Sequence, residues 1–261
     1  MVKAINNINT FIEKFVAGSG NFELYPELTY EGICLFIPQL QQLLLSMNIF
    51  DDKVYNISEF YNNNCEELGN IMKRYGSDKS TKHNYNIIYY HIFNMLGISN
   101  IKDVLEIGIG TNNPKLVSTM GSSGKPGASL KAFKTFLPKA TIYGCDIDKN
   151  ILFNEDRIKT CYVDQLKFET FNEIEKHLEC KEFDIIIDDG LHSIGANFNT
   201  LLFAMDHLKP NGCFIIEDIM PNTLDVWQII SSIINIKMYE FNSMIIKSKI
   251  AYMLFVQKKN I

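Results

Sequence analysis

The chain has 261 residues, of which 46% are hydrophobic, and it carries a net charge of −5. This length suffices for one large α/β domain with an appendage, and the apolar content argues against wholesale disorder. The acidic balance and the lack of a Lys/Arg run argue against nucleic acid as the main partner. No apolar run reaches roughly 18 residues, so we expect no membrane span. The amino-terminal residues also lack the apolar core of a signal peptide.

The cysteine pattern agrees with a soluble, cytoplasmic protein, which is what we expect. The six cysteines do not show the Cys-x-x-Cys spacing of a zinc site or redox motif. Several fall in predicted strands, so buried thiols are expected rather than disulfides or metal ligands. They are Cys34, Cys65, Cys145, Cys161, Cys180 and Cys213.

Residues 1–70 are predicted to form a helical N-terminal extension. Apolar residues recur with helical spacing between Ile5 and Val16, and Ile33–Phe50 is strongly apolar on one side. Ser58–Lys73 is a further helix candidate. We expect this extension either to cap the main domain, residues 71–261, or to form a contact in a homo-oligomer.

The stretch GSDKSTKHNY, residues 76–85, has the composition of a surface loop, yet it places Lys79, His83 and Tyr85 close together. It directly precedes a predicted helix, Asn86–Leu96, and lies shortly before the first core strand. From that position it could fold over a ligand at the end of the sheet. A solvated loop and a binding loop both remain open at this stage.

The stretch KDVLEIGIGTN, residues 102–112, organises the rest of the chain. Its apolar run suits a strand buried in a parallel sheet, and the run stops at Gly108 and Gly110. Glycines there let the backbone turn sharply and approach a ligand closely. Glu106 lies inside the strand, where a carboxylate is costly without a partner. The pattern indicates a nucleotide-type cofactor site, with a buried strand and an ordinary loop as the alternative.

A long loop, 111–127, and a helix, Ser129–Leu137, lead to a second strand at 140–148 that carries Asp146 and Ile147. Loops of this length without their own structure are usually functional or mobile. An acidic side chain at the end of a second strand is suited to bind two ribose hydroxyls of a nucleoside. A turn-forming aspartate is the simpler alternative.

The third predicted strand, Ile158–Val163, is followed by Asp164 and Gln165. Carboxylate and amide groups at a strand end could hydrogen-bond an adenine amino group. A helix, Lys167–Glu179, comes next. The sequence thus continues to place polar side chains where predicted strands end.

The fourth predicted strand, Phe183–Ile187, ends in Asp188 and Asp189, with His192 just beyond and a helix at Ile194–Leu208. A Lys-Pro-Asn-Gly turn then precedes a fifth strand. The remaining predicted features are the strand Cys213–Ile216 with Glu217 and Asp218 after it, the helix Asn222–Ile233, and strands near Ile236–Asn242 and Ala251–Gln257.

Five βα units in a row predict an α/β fold with a doubly wound, mostly parallel, seven-stranded sheet of Rossmann-like type. The last two strands have no helix between them, so they should form an antiparallel hairpin closing one edge. Such a sheet binds ligands at the carboxyl ends of its strands, where the acidic residues singled out above should lie.

Three of these residues, Asp189, Glu217 and Asp218, follow two strands whose ends can be a few ångströms apart. Converging carboxylates raise one another's pKa unless a cation lies among them. Oxygen ligands favour Mg²⁺, or Mn²⁺ or Ca²⁺, over zinc. His192 is close enough in sequence to act as a general base for a hydroxyl activated by the metal. An N-capping turn and a solvated strand end are the alternatives.

The ordered set LEIGIG, YGCDID, VDQ, IIIDDGLH, LKPNG and FIIED resembles the class I S-adenosylmethionine-dependent methyltransferases. The GSDK…Y loop, GASLKAFKTFLP and the paired DDG-x-H and IED motifs are similar to the macrocin and mycinamicin sugar O-methyltransferase group. The resemblance covers about residues 72–220. Bacterial capsule-locus methyltransferases, including some linked to O-methyl phosphoramidate, are also similar.

The resemblance implies S-adenosylmethionine and Mg²⁺ as cofactors, a sugar-type or other small-molecule acceptor, and roles for residues that match the motifs. His192 would be the base, and Asp189, Glu217 and Asp218 would hold the metal, with Asp189 also counted as catalytic. The residues expected near the cofactor are Glu106, Gly108, Gly110, Asp146, Ile147, Asp164, Gln165, Asp188, Lys79 and Tyr85.

The sequence departs from the family pattern at three places: Leu191 where Ser or Thr is usual, Phe133 where Trp is common, and the long 111–127 loop. These departures put the acceptor in doubt more than the methyl-transfer chemistry. A nicotinamide-dependent oxidoreductase is a competing hypothesis, but Asn113 stands where its fingerprint needs a third glycine. A non-catalytic nucleoside-binding module is another.

Overall fold

The computed structural model describes residues 37–260. The helix predicted between Ile5 and Val16 lies outside the described residues, and so does Cys34. Among residues 37–260, no helix has the length and apolar character needed to cross a membrane.

Within the described residues, one sheet of eight strands forms the centre of the fold. The strands are β1 (Val54–Asn56), β2 (Asp103–Ile107), β3 (Thr141–Asp146), β4 (Ile158–Tyr162), β5 (Phe183–Asp188), β6 (Leu208–Ile219), β7 (Phe241–Lys247) and β8 (Tyr252–Lys258). After a helical stretch at 37–46, the flanking helices are α1 (Cys65–Tyr75), α2 (Tyr85–Leu96), α3 (Ala128–Phe136), α4 (Asn172–Leu178), α5 (Ile194–His207) and α6 (Leu224–Lys237).

The strand order is β1-β7-β8-β6-β5-β2-β3-β4, and only β8 runs antiparallel to its neighbours. This order confirms the predicted doubly wound α/β fold with an antiparallel C-terminal hairpin. The sheet has eight strands rather than seven, because β1 pairs in parallel with β7 and takes the edge that the hairpin was expected to close. A three-residue strand shows no periodic pattern that could have predicted it.

Several predicted element boundaries are wrong. The strand predicted at Cys213–Ile216 is longer: β6 includes the expected Lys-Pro-Asn-Gly turn at its start, and Glu217 and Asp218 lie within it rather than after it. The helix predicted at Lys167–Glu179 begins at Asn172, after a 3₁₀ turn at Phe168–Phe171.

The strand predicted at Ile236–Asn242 starts at Phe241, because α6 continues to Lys237. The Asn235 amide binds both backbone groups of Ser243, at 2.6 and 2.9 Å, which joins the last helical turn to the strand. The helix predicted at Ser58–Lys73 begins later, as α1, after a short 3₁₀ turn.

The core has two halves, one on each face of the sheet. Alternate strand residues point to opposite faces, so Val104 packs against α1, α2 and α3, whereas Leu105 packs against α4, α5 and α6. Helix α1 runs across the predicted domain boundary at residue 70 and packs in the first of these halves. The five described cysteines are buried and free, as expected.

Candidate active site

A cleft of about 710 Å³ lies along the carboxyl ends of β2 to β6. Its walls come from separate parts of the sequence: the loop before α2, the turn after β2, the 111–127 loop, and residues at or just after the carboxyl ends of β3, β4, β5 and β6. The parallel arrangement brings these strand ends to one rim. The predicted ligand-binding edge of the sheet is therefore where the cleft lies.

The turn after β2 depends on two glycines in the left-handed region, Gly108 with φ 88° and Gly110 with φ 83°. Only glycine adopts this conformation without a Cβ penalty. A Cβ at Gly108 would also collide with the backbone carbonyl of Asp189, and one at Gly110 would collide with the Met120 side chain. Both glycines line the cleft, and the backbone forms its floor at this point.

Asp146 and Ile147 lie on the same side of the cleft, at the end of β3. The Asp146 carboxylate is 7% exposed and accepts hydrogen bonds from the backbone N–H groups of Ile109, at 3.0 Å, and Asp148, at 2.9 Å. Burial raises the pKa of Asp146, while these backbone donors favour its charged form. Ile147 is 42% exposed and offers an apolar surface to the cleft.

The two residues predicted to face adenine differ in their contacts. The Asp164 carboxylate accepts the Leu166 N–H at 3.1 Å and lines the cleft. Gln165 also lines the cleft, but its amide binds the buried carboxylate of Asp188 at 2.8 Å. Asp188 itself is fully buried and lies behind the cleft wall.

The loop before α2 does fold into the site, and Lys79 is its deepest contact. The Lys79 ammonium lies 2.6 Å from carboxylate oxygens of both Asp189 and Glu217, and 3.2 Å from Glu106. Burial would lower the pKa of this lysine, but the three carboxylates outweigh burial and raise the pKa well above its usual value. Lys79 is therefore a fixed positive charge between the ends of β2, β5 and β6.

Glu217 is almost completely buried, at 1% exposure, and both of its oxygens are engaged. One accepts from Lys79 and the other from the hydroxyl of Tyr89. Burial raises the pKa of Glu217 well above its usual value, although Lys79 opposes this effect. Glu106 is likewise buried behind the cleft, where the Ser129 hydroxyl donates to it at 2.5 Å.

Asp218 lies at the exposed edge of this network and lines the cleft, with a backbone φ of 53°. The Tyr85 hydroxyl donates to its carboxylate at 2.5 Å, and His83 Nδ1 lies 3.1 Å from the same oxygen. Burial alone would raise the pKa of Asp218, but the contacts from His83 and Tyr85 hold it well below its usual range. Asp218 thus remains ionised at the edge of the cleft.

Asp189, His192 and Asp218 present ligand atoms that all lie within 4.8 Å of one another. His192 Nε2 is 3.7 Å from Asp189 Oδ1 and 3.9 Å from Asp218 Oδ2. His192 has a φ of 56°, and non-glycine residues in this region are held there only by well-determined surroundings. Carboxylate oxygens with a nearby imidazole, amid an excess of negative charge, fit a divalent cation such as Mg²⁺ or Mn²⁺.

The structure brings together most of the residues singled out from the sequence. The cleft wall includes Lys79, Gly108, Gly110, Asp146, Ile147, Asp164, Gln165, Asp189, His192, Glu217 and Asp218. Glu106, Asp188 and Tyr85 lie behind it and act on residues of the wall. Of the three predicted metal ligands, Asp189 and Asp218 face each other with His192, whereas Glu217 faces Lys79 and Tyr89.

Sequence reasoning missed Tyr89 and Ser129, and it named His83 only as part of a possible binding loop. Tyr89 lies one helical turn after Tyr85, so a signal was present: residues four apart share a helix face. Both tyrosine hydroxyls reach carboxylates near the carboxyl end of β6. Ser129 had no comparable signal, because its contact with Glu106 depends on how α3 packs against the sheet.

No family model matches the chain, but several curated proteins are similar to part of it. Mycinamicin VI 2''-O-methyltransferase of Micromonospora griseorubida is 38% identical over 117 residues, which is 44% of this chain and 26% of that protein. Demethylmacrocin O-methyltransferase of Streptomyces fradiae is 36% identical over 118 residues, covering 44% and 27% respectively. A tetracenomycin 3'-O-methyltransferase of Streptomyces olivaceus is 30% identical over 155 residues, covering 59% and 37%.

Among solved structures, the MycE methyltransferase of the mycinamycin biosynthetic pathway, in complex with Mg and SAH, has a TM-score of 0.58 and 26% identity. The similarity covers 74% of this chain and 55% of that one. The chain matches only a quarter to two fifths of the length of the curated relatives named above. These findings confirm the resemblance to the macrocin and mycinamicin group and the Rossmann-like methyltransferase fold.

Proposed function

We propose that this protein is an S-adenosylmethionine-dependent O-methyltransferase, assisted by Mg²⁺ or another hard divalent cation, that acts on a sugar hydroxyl. The observation that carries the proposal is the group formed by Asp189, His192 and Asp218, within 4.8 Å of one another beside the cleft. A cation site and a nucleoside-sized cleft that share one wall are what metal-assisted methyl transfer requires.

The cofactor part of the proposal rests on the turn after β2 and on the strand ends beside it. A cleft of about 710 Å³ is within the range for small-molecule sites. The backbone at Gly108 and Gly110 would hold the methionine part, with Glu106 supporting this turn from behind. Asp146 would bind the ribose, Ile147 would cover the adenine face, and Asp164 would meet the adenine amino group.

The metal part rests on the chemistry of the side chains. Asp189 and Asp218 would hold the ion, with His192 beside it, and the ion would offset the negative charge that Lys79 alone does not balance. Glu217, predicted from the sequence as a third ligand, is bound to Lys79 and Tyr89. Its entry into the ligand set would require Lys79 to give up that contact.

When bound, the two cofactors would supply an activated methyl group and a Lewis acid that makes the acceptor hydroxyl more acidic. The chain's own contribution is to position and deprotonate the acceptor. An acceptor hydroxyl bound next to this site would lie within reach of His192 Nε2, which would accept its proton. Lys79 and Tyr85 would keep these carboxylates in place during the transfer.

The acceptor class is supported by the names of the relatives, which include mycinamicin and rhamnosyl-tetracenomycin O-methyltransferases. The sequence resemblance to capsule-locus enzymes extends the proposal to a capsular-polysaccharide precursor. A phosphoramidate or phosphate oxygen in the same pathway is the alternative acceptor. A panel of acceptors that includes free sugars, sugar nucleotides and phosphorylated sugars would distinguish these groups.

The decisive experiment is calorimetric titration of the purified protein with S-adenosylhomocysteine, with and without Mg²⁺, followed by methyl-transfer assays on this panel. We expect S-adenosylhomocysteine to bind. We also expect at least one sugar hydroxyl to be methylated, in a reaction that EDTA abolishes. Absence of nucleoside binding would refute the proposed function. EDTA-insensitive turnover would refute the role of the metal.

A further inference from the structure

Gln165 was expected at the cofactor's adenine, but its side chain is committed elsewhere. Its Oε1 accepts the backbone N–H of Leu191 at 2.8 Å. Its Nε2 donates both hydrogens, to Asp188 Oδ1 and to Thr200 Oγ1, each at 2.8 Å. An amide has two donors, so none is left for a ligand.

The segment that Gln165 holds is the turn that carries the metal and base candidates. Leu191 lies between Asp189 and His192, and Asp188 immediately precedes them. The Gln165 amide thus binds this turn at both of its ends. Because Asp188 is fully buried and Thr200 lies inside α5, the amide ties the turn to the interior of the domain.

The position of Gly190 depends on the same side chain. A Cβ at residue 190 would collide with Gln165 Oε1, so the amide lies directly against the backbone of the turn. His192, two residues later, is held at a φ of 56°. A residue in that region persists only when its surroundings impose it, and the Gln165 bond to the preceding Leu191 is such a constraint.

From this geometry we infer that Gln165 is a positioning residue for the metal and base turn, not an adenine-binding residue. It orients Asp189 and His192 toward Asp218 by fixing the backbone on which they stand. Adenine recognition is left to Asp164, whose carboxylate lies on the cleft wall. The inference rests on the proposed function, since it assigns a role within that same site.

The test compares two affinities of the full chain carrying Gln165→Met, which keeps the side chain's length but removes its hydrogen bonds. Side chains that orient metal ligands typically contribute about 10- to 100-fold to metal affinity, so we expect Mn²⁺ binding to weaken by that factor. The affinity for S-adenosylhomocysteine, measured by calorimetry, should stay at the wild-type value. Asp164→Asn is the matched control and should show the reverse pattern.

Three outcomes for Gln165→Met would overturn the inference. They are weaker S-adenosylhomocysteine binding with normal Mn²⁺ binding, equal loss of both affinities, and no change in either affinity. Equal loss is what general loosening of the fold would produce. If Gln165→Met does not fold, Gly190→Ala displaces the same amide from the other side and should give the same split. When both single variants fold, the double variant should lose less Mn²⁺ affinity than the two single losses added together, because both substitutions disrupt the same contact.

Failure of the proposed function would look different from failure of this inference. In that case the wild-type protein itself would bind neither Mn²⁺ nor S-adenosylhomocysteine. If the wild-type protein binds both, the variants report only on what Gln165 does.

Discussion

The two halves of the cleft are built in different ways. In the half formed after β2, β3 and β4, carboxylates accept hydrogen bonds from nearby backbone N–H groups, as Asp146 does from Ile109 and Asp148, and Asp164 also pairs with Lys167. In the half formed after β5 and β6, carboxylates are satisfied by side chains from the loop before α2 and from α2 itself, chiefly Lys79 and Tyr89.

This difference indicates which half of the cleft needs a bound cation to balance its charge. Backbone donors compensate a carboxylate locally, so the half formed after β2, β3 and β4, which we propose binds the cofactor and call the cofactor half, needs no further cation to balance its carboxylates. In the other half, which we propose holds the metal and call the metal half, Lys79 lies among Glu106, Asp189 and Glu217, and Asp218 is a further carboxylate beside His192, so negative charge remains in excess. We therefore expect variants in the two halves to affect nucleoside and metal binding separately.

The largest expected effect separates turnover from cofactor binding. His192→Ala removes the proposed base, and general-base catalysis typically contributes about 10²- to 10⁴-fold, so turnover should fall by that factor. The affinity for S-adenosylhomocysteine, measured by calorimetry, should be unchanged. His177→Ala is the control, because His177 is 54% exposed and its ring pairs with Glu173, away from the cleft. Near-normal turnover of the His192 variant would remove the proposed mechanism.

The next effect concerns the charge at the centre of the metal half. Lys79→Met leaves buried carboxylates without their partner, and breaking a buried ion pair from one side typically costs about 3–5 kcal/mol of folding free energy. Urea unfolding at neutral pH measures this loss. Lys82→Met on the same loop is the control: Lys82 is 69% exposed and pairs only with Asp78, so it should change stability by about 0.5 kcal/mol or less. Similar losses in both variants would mean that the Lys79 network stabilises little.

Substitution of Gly108 should weaken ligand binding in both halves of the cleft. Gly108→Ala introduces a left-handed strain of roughly 1–2 kcal/mol and a collision with the carbonyl of Asp189. Both nucleoside and Mn²⁺ affinities should therefore weaken, as calorimetry would measure. Gly121→Ala, with φ 75° and no atom within 4 Å of the new Cβ, carries the strain alone and should leave both affinities intact. If Gly108→Ala weakens only one affinity, Gly108 does not link the halves.

The smallest effect is the stabilisation produced by the metal. At Mg²⁺ concentrations near one hundred times the dissociation constant, binding should raise the free energy of unfolding by about 2.7 kcal/mol. Asp218→Asn should lose this increment, whereas Asp146→Asn in the cofactor half should keep it. Urea unfolding with Mg²⁺ and with EDTA makes the measurement. Equal loss in both variants would show that the halves are not independent.

Local sequence patterns were enough to predict most strand ends at the cleft. Apolar runs that stop at Gly108, Asp146, Asp189 and Glu217 mark the carboxyl ends of strands, and parallel strands bring such ends to one rim. Helix α6 and strand β7 were harder to separate, because the isoleucines at 233, 234 and 236 are compatible with a helix or a strand. The contact of Asn235 with Ser243 decides that boundary.

The sequence by itself therefore determined the fold class, the rim of the sheet that carries the cleft, and most of the acidic residues that lie there, because these follow from short-range periodicity and chain order. Only the tertiary structure decided how those residues are paired. Lys79 meets Asp189 and Glu217 across 110 and 138 positions, and Tyr89 meets Glu217 across 128. Contacts at such separations depend on how the helices pack against the sheet, and no local pattern specifies that packing. For the same reason the sequence placed Gln165 at adenine, whereas the fold turned its amide toward Asp188 and Leu191.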